Sequence, residues 1–350
     1  MREVNLKYQT AGEEYSLCGV CLQQPFILSE VQVKSLVNPA YVLFFSGQVL
    51  AELPKKIIQV EVCPMVPTQQ IFYQELKASL HRNKDLKGSS LSKNTMSALM
   101  ELRKLANHPL LMRRLYTNEK LKEMSKLMLR EPTHYEANPI LIEEDMGVMS
   151  DYELHHLCTL YPSVSHFRLE ESAIMESGKF KALGRILPEL KEQGLKVLLF
   201  SQFVMMLDIM EPYMKQCKHN YLRMDGSTSV GERGEIMDKF INDPDIFVFL
   251  LSTKACGLGI NLTIANTVIL YDIDYNPHND KQAEDRCHRV GQTKDVTVIK
   301  LVSKGTVDES MLQRAQQKLH LEKQMTSDDH DGEAEKLNIA DLLKEALEVS

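Results

Sequence analysis

The chain has 350 residues, 43% of them hydrophobic, and a formal net charge of −7. That length and apolar content support a substantial core in roughly two or three domains. The acidic balance argues against a surface coated in nucleic-acid contacts but leaves room for a local basic groove, because phosphate contacts depend on where the charge sits.

No apolar run reaches the roughly 18 to 20 residues of a membrane span, so no membrane partner is expected. The polar start, Met1 to Tyr15, is unlike a signal peptide, and an intracellular protein is expected. Seven cysteines, an odd number, fit reduced thiols better than a disulfide framework. Cys18 and Cys21 form a CxxC, but no second pair follows at useful spacing, so no metal site is expected.

In chain order, residues 1 to 50 fit no clear pattern, and Asn38 to Gln48 is an apolar patch within them. Within residues 51 to 171, Met65 to about Val164 is rich in Leu, Met, Lys and Glu, with helical periodicity in Gln69 to Leu80 and Thr95 to Leu105. Residues 51 to 171 read as a helical appendage whose methionines fill its core.

From 172 to 325 the pattern changes. Lys196 to Phe203, Tyr221 to Asp225, Ile246 to Thr253, Thr267 to Asp274 and Val296 to Ser303 are apolar, partly β-branched runs that predict strands buried on both faces. Helical stretches near Val204 to Lys218, Ser229 to Ile241, Asp280 to Val290 and Thr306 to Lys323 separate or follow them. The alternation predicts an α/β domain with a parallel sheet covered by helices. Ligands in such sheets gather at the carboxyl ends of the strands, where the loops Ser252 to Thr263 and Asp274 to Gln282 fall. The segment 326 to 350 reads as an acidic, solvated tail with a short amphipathic helix over Ile339 to Leu347.

Chemistry concentrates in QAEDRCHRVGQ, Gln282 to Gln292. On a helix continuing to Val290, Gln282, Arg286 and Arg289 are spaced i, i+4, i+7 and share a face. Two permanently charged, planar guanidinium groups on one face form a clamp suited to a phosphoryl group that accumulates charge. The competing reading is an exposed helix whose Glu284, Asp285, Arg286 and Arg289 only solvate the surface. Ser252, Thr253 and Lys254 end a strand before a glycine-containing turn, where hydroxyls and backbone N–H groups can meet a phosphate. For Asp225 and Gly226 the choice lies between a DNA-facing role and a capped turn, with Ser227, Thr228 or Ser229 as the cap.

Five collinear blocks, KVLLFSQF, YLRMDGSTSVGERGEIMDKF, STKACGLGINLT, DIDYNPHNDKQAEDRCHRVGQ and VTVIKLVSKGTVDESM, resemble the second RecA-like helicase lobe of SWI/SNF-type remodelling ATPases. LRKLANHPLL, SGKF and EKLKEMSKLMLREPTHYEANP add a resemblance to the SMARCAD subgroup. The resemblance implies ATP and Mg²⁺ as cofactors, double-stranded DNA and nucleosomes as partners, a first RecA-like lobe to close against, and a nuclear location. It makes Arg286 and Arg289 arginine fingers and sets Gln282, Asp285, Gly257 and Gly259 on the nucleotide side. Ser252, Thr253, Lys254, Asn261, Thr263, Asp225, Gly226 and Arg233 become contacts to nucleic acid. Asp274, Asn276 and Asp280 match the block that links nucleotide state to DNA grip. Cys256 departs from the family by standing where glycine is usual.

No GxxxxGK(S/T) phosphate loop occurs in the chain, and SGKF has Phe180 where a metal-binding hydroxyl would stand. The expectation is therefore a C-terminal motor lobe that does not hydrolyse ATP at a useful rate by itself. A non-catalytic chromatin-binding module and part of a strand-separating helicase remain as alternatives. Residues 1 to 24 and 36 to 48 have no counterpart in the family; the second gap reads as an insertion or a translated intron, and residues 1 to 50 as an irregular or mis-annotated segment.

Overall fold

The computed structural model describes residues 7–10, 13–16, 53–82, 92–253, 262–325 and 339–348. The chain divides into two units, Met1–Leu53 and Pro54–Ser350. In the first, β1 (Lys7–Thr10) and β2 (Glu13–Ser16) pair antiparallel, Thr10 opposite Glu13. Cys18, Cys21 and the apolar patch Asn38 to Gln48 lie outside the described residues.

The second unit is built on β3 (Lys56–Cys63), β4 (Val197–Ser201), β5 (Tyr221–Met224), β6 (Val248–Ser252), β7 (Thr267–Leu270) and β8 (Val296–Ser303). Its described helices are, in order, α1 (Pro67–Arg82), α2 (Ser92–Asn107), α3 (Asn118–Met128), α4 (Pro139–Gly147), α5 (Asp151–Leu160), α6 (Ser172–Met175), α7 (Gly178–Glu192), α8 (Val204–Gln216), α9 (Val230–Asn242), α10 (Pro277–Glu284), α11 (Val307–Met325) and α12 (Ile339–Glu348).

The six strands form one parallel sheet in the order β3-β8-β7-β4-β6-β5. The sequences of β4, β6 and β7 are almost wholly apolar, and every residue in them is buried, as strands covered on both faces require. Side-chain alternation then sorts the core. Val197 and Leu199 pack with Phe180 and Leu183 of α7 and Met206 and Met210 of α8. Leu198 and Phe200 point the other way, into a cluster with Phe240 of α9, Ala283 of α10 and Cys287.

The predicted strands of the 172–325 region all form, each within its expected run, but β5, at one edge of the sheet, is half-buried over Tyr221, Leu222 and Arg223 rather than buried on both faces, because it has only β6 beside it. The 51–171 region divides differently from the expectation. Its first element, β3, is a strand in register with β8, Lys56 opposite Val296, and the helices begin only at Pro67. As an edge strand it leaves Ile58, Val60 and Val62 40% to 54% exposed. Such half-covered strands lack the continuous apolar run that marked the central ones.

The remainder of 51–171 is helical. Tyr116, Met124, Met128, Met146 and Leu154 close a separate core around α3, α4 and α5, with methionines as filler. Beneath it, the buried Asp151 carboxylate accepts backbone N–H bonds from Arg114, Leu115 and Tyr116 at 2.9–3.1 Å. The tail helix α12 packs Leu342, Leu343 and Ala346 against α2 and α11, so that part of the expected solvated tail belongs to the core.

Candidate nucleotide and nucleic-acid site

The carboxyl ends of β4, β6 and β7 are tied together by buried polar groups. Asp272, just past β7, accepts the Ser201 hydroxyl at 2.5 Å and the Gln202 amide at 2.8 Å from the end of β4. Burial pushes the Asp272 carboxyl upward, against the pull of the Arg103 charge and of these hydrogen bonds. Arg103 of α2 donates to the Gln202 side chain at 2.9 Å and to the Ile273 carbonyl at 3.1 Å. The Thr253 amide closes the set on the Ser201 carbonyl at 3.1 Å.

At the tip of β6, Ser252 is buried and Thr253 half-buried. Lys254, Cys256, Gly257, Gly259 and Asn261 lie outside the described residues. The chain is described again from Leu262, with Thr263 half-buried in the turn that leads into β7.

The turn after β5 resolves into separate parts. Ser229 caps α9 through a reciprocal capping box with Glu232. Asp225 is buried behind the turn rather than on its surface: its carboxylate binds Arg223 at 2.7 Å and the Ser227 hydroxyl at 2.6 Å. Burial alone would raise this carboxyl, but the Ser227 hydrogen bonds and the Arg223 charge together hold it below the usual carboxylate range. Arg223 also pairs with Asp208 at 2.7 Å and Glu211 at 2.8 Å. Arg233 donates to the Thr228 carbonyl at 3.0 Å, bracing the same turn from α9. Gly226, Ser227 and Ser229 are left exposed.

The expected helix over 280–290 is displaced and shorter. Asn276 caps α10 at its start, and Asp274 accepts the Asn276 amide at 2.9 Å and the Asn279 side chain at 2.9 Å. The helix ends at Glu284 with Asp285 as its C-cap. Gln282 is therefore exposed on the helix while Arg286 and Arg289, both half-buried, follow it in consecutive turns, and the continuous helical stripe does not form. Tertiary bonds end the helix. The Cys287 thiol turns inward to the Ala265 carbonyl at 2.7 Å, the Arg286 carbonyl accepts the Leu262 amide at 3.2 Å, and Gly291, at φ 101°, reverses the chain. The arginine turn and the segment 262–265 are thereby stitched together.

Charges behind this turn are paired. Glu284 is buried between Lys56 at 2.8 Å and Lys300 at 3.0 Å; burial would raise it, but the two lysines hold it below the usual range. Asp285 is about half exposed, 3.9 Å from the Lys56 ammonium. Asp280 accepts the Asp274 amide at 3.1 Å, with Lys300 4.0 Å away. Burial, reinforced by Asp274 and Asp272 and only partly opposed by Lys300, pushes the Asp280 carboxyl up to about 7.

The unfolded chain ionises Asp280 near 3.8 and the native state near 7, so the stability tied to its protonated form is full below the first value and lost as pH rises through the second. Asp280→Asn should therefore gain stability relative to the parent chain across that window, read as urea midpoints at a series of pH values. A constant difference between the two curves would show that Asp280 ionises normally.

Gln292, Arg103 and Arg223 brace the turns and strand ends around this site through bonds to backbone and to neighbouring side chains, and the motifs assigned none of them a role. Gln292 had a visible signal as the last residue of HRVGQ; Arg103 and Arg223 had only their charge. Among the described residues, no group of three or more His, Cys, Asp or Glu is placed to hold a metal.

A six-stranded parallel sheet with helices on both faces, and an arginine turn tied to its strand ends, is the architecture of a RecA-like lobe, and the relatives below make it a helicase C-terminal lobe. Residues 178–291 match the helicase conserved C-terminal domain. The chain is 55% identical over 317 residues to the human SWI/SNF-related matrix-associated actin-dependent regulator of chromatin subfamily A containing DEAD/H box 1, covering 90% of this chain and 30% of that protein. It is 45% identical to the ATP-dependent helicase fft2 of Schizosaccharomyces pombe, covering 86% of this chain and 24% of that protein. The crystal structure of the C-terminal part of the Fun30 ATPase domain superposes with a TM-score of 0.73 at 35% identity, over 85% of this chain and 97% of that one. The Sulfolobus solfataricus SWI2/SNF2 ATPase core in complex with dsDNA gives 0.56 at 27% identity, over 86% of this chain and 52% of that one. The chain belongs to the SWI/SNF-type chromatin remodellers of the DEAD/H-box-containing SMARCAD subgroup and corresponds to their C-terminal motor lobe. It spans about a third or less of the length of the curated relatives named here.

Proposed function

We propose that this chain acts as the second lobe of an ATP-dependent motor that moves along double-stranded DNA and remodels nucleosomes in the nucleus. The observation that carries the reading is the direct stitching of the Arg286–Arg289 turn to segment 262–265, which leads back to the Ser252 to Thr263 loop. In this reading Arg286 and Arg289 face the nucleotide phosphates, with Gln282 and Asp285 beside them. Ser252, Thr253, Lys254, Asn261 and Thr263 follow the DNA backbone, and Gly257 and Gly259 belong to the nucleotide side of the same block. Arg233 and the Asp225–Gly226 turn support a second backbone contact. ATP and Mg²⁺ would be held chiefly by a first lobe carrying the phosphate loop that this sequence lacks.

The test is ATP turnover by the 350-residue chain, alone, with duplex DNA, and after a family first lobe is added in trans. Negligible turnover alone and DNA-stimulated turnover on combination are expected. Vigorous hydrolysis by the chain alone, or none on combination with a competent first lobe, would overturn the reading.

A further inference from the structure

Gln292 is 7% exposed and uses both ends of its side-chain amide. The NH₂ donates to the carbonyls of Ala265 at 2.8 Å, Thr263 at 3.1 Å and Cys287 at 3.3 Å. The oxygen accepts the amides of Thr293 and Lys294, each at 3.0 Å. Flipping the amide would set oxygen against carbonyls and NH₂ against N–H groups, so the surroundings fix its orientation. One end thus crosses to segment 262–265, while the other holds the chain after the arginine turn.

The crossing does not stand alone. The Cys287 thiol meets the same Ala265 carbonyl, and the Leu262 amide meets the Arg286 carbonyl at 3.2 Å. These bonds join the backbone of the proposed finger Arg286 to the segment that continues the proposed DNA loop. A displacement of residues 262–265 that breaks the Gln292 bonds would leave buried carbonyls without donors, so the two segments favour moving together.

We propose that Gln292 is a positioning residue that latches segment 262–265 to the arginine turn and so couples DNA engagement to the ATPase step. This rests on the motor reading above. Gln292 itself touches neither nucleotide nor DNA in it. The latch needs a neutral group with donor and acceptor at opposite ends, which defines two informative substitutions. Gln292→Glu keeps an acceptor for Thr293 and Lys294 but loses the donor to Thr263, Ala265 and Cys287. Gln292→Met removes both halves at similar length.

The experiment measures ATP turnover, with and without duplex DNA, in a two-lobe motor carrying this chain as its second lobe. For Gln292→Glu near pH 8, DNA-stimulated kcat is expected to fall about tenfold, with the DNA-free rate and the KM for ATP within about twofold of the parent. A buried carboxyl facing carbonyls has a raised pKa, so on lowering the pH to about 6 it gains a proton and regains a donor. Stimulation should then recover relative to the parent at the same pH. Gln292→Met should show the loss without the recovery. Any other outcome overturns the latch, including unchanged stimulation, an equal fall in both rates, or the same pH response in both variants.

If the parent motor shows no DNA stimulation, the motor reading fails instead, and the latch is tested in the 350-residue chain by amide exchange. Faster exchange at Leu262 in Gln292→Glu than in the parent near pH 8, diminishing near pH 6, supports it; parent-like exchange at both overturns it.

Discussion

Replacing either Arg286 or Arg289 with lysine in a two-lobe motor should cut DNA-stimulated ATP turnover by about two orders of magnitude or more. Lysine keeps the charge and loses the planar fork, so the substitution isolates the part of arginine suited to bidentate phosphate contact. The backbone argues for a clean comparison. The Arg286 carbonyl is held by the Leu262 amide, and the Arg289 carbonyl accepts the Gln292 amide at 3.0 Å, so either side chain can change on an anchored turn. A solvating surface arginine would tolerate the exchange with little effect. DNA affinity without nucleotide should change little, because the backbone contacts are assigned to the Ser252 to Thr263 loop. Near-normal turnover in both lysine variants would remove the finger assignment. Loss of DNA affinity in proportion to turnover would move the arginines to the DNA track.

The central strands were readable because burial on both faces forces apolar residues into every position, as in VFLLS of β6. The same physics hid β3. An edge strand shares only one ladder and leaves one side open, so Lys56, Gln59 and Glu61 interrupt its apolar pattern and it falls below the threshold of a run. The helix ending at Glu284 failed for another reason. Spacing of i, i+4, i+7 predicts a shared face only if the helix continues, and continuation here competes with bonds from Cys287 to Ala265 and from Arg286 to Leu262, residues more than twenty positions away. Gly291 was the local clue that the chain turns back.

Asp225 shows the limit from the side of charge. Its motif position suggested either a nucleic-acid contact or a turn, and the distinction depends on Arg223, Asp208 and Glu211, which come together only when β5 and α8 pack. Resemblance carried the family and the collinear motifs. It did not distinguish residues that could reach a ligand from those that hold such residues in place, because both kinds occupy the same short blocks.

Lys179→Met should destabilise the 350-residue chain by about 3 to 5 kcal/mol, the range for removing one partner of a buried ion pair. In the sequence, SGKF resembled a phosphate loop without its hydroxyl. In the structure its lysine is a fully buried cation with three acceptors: the Asp308 carboxylate at 2.7 Å, the Asn107 side chain at 2.8 Å and the Tyr271 carbonyl at 2.8 Å. These match the three N–H donors of an ammonium, which is how a charge can stay buried. Gly178 before it approaches the Pro64 carbonyl so closely that an added Cβ would lie 2.1 Å from the oxygen, so the lysine is delivered by a backbone contact only glycine permits. The group joins the start of α7, the end of α2, the chain just past β7 and the start of α11, and so fixes the strand end from which Asp272 and Asp274 enter the site. Methionine fills similar volume but leaves Asp308 as an unpaired buried carboxylate. Adding Asp308→Leu should recover part of the loss, since removing both charges removes the unpaired one. Urea unfolding of the two single variants and the double variant gives the comparison. A loss under about 1 kcal/mol for Lys179→Met would mean that water reaches the pair and screens it as at a surface. A double variant no more stable than Lys179→Met would place the cost in packing rather than in the unpaired charge.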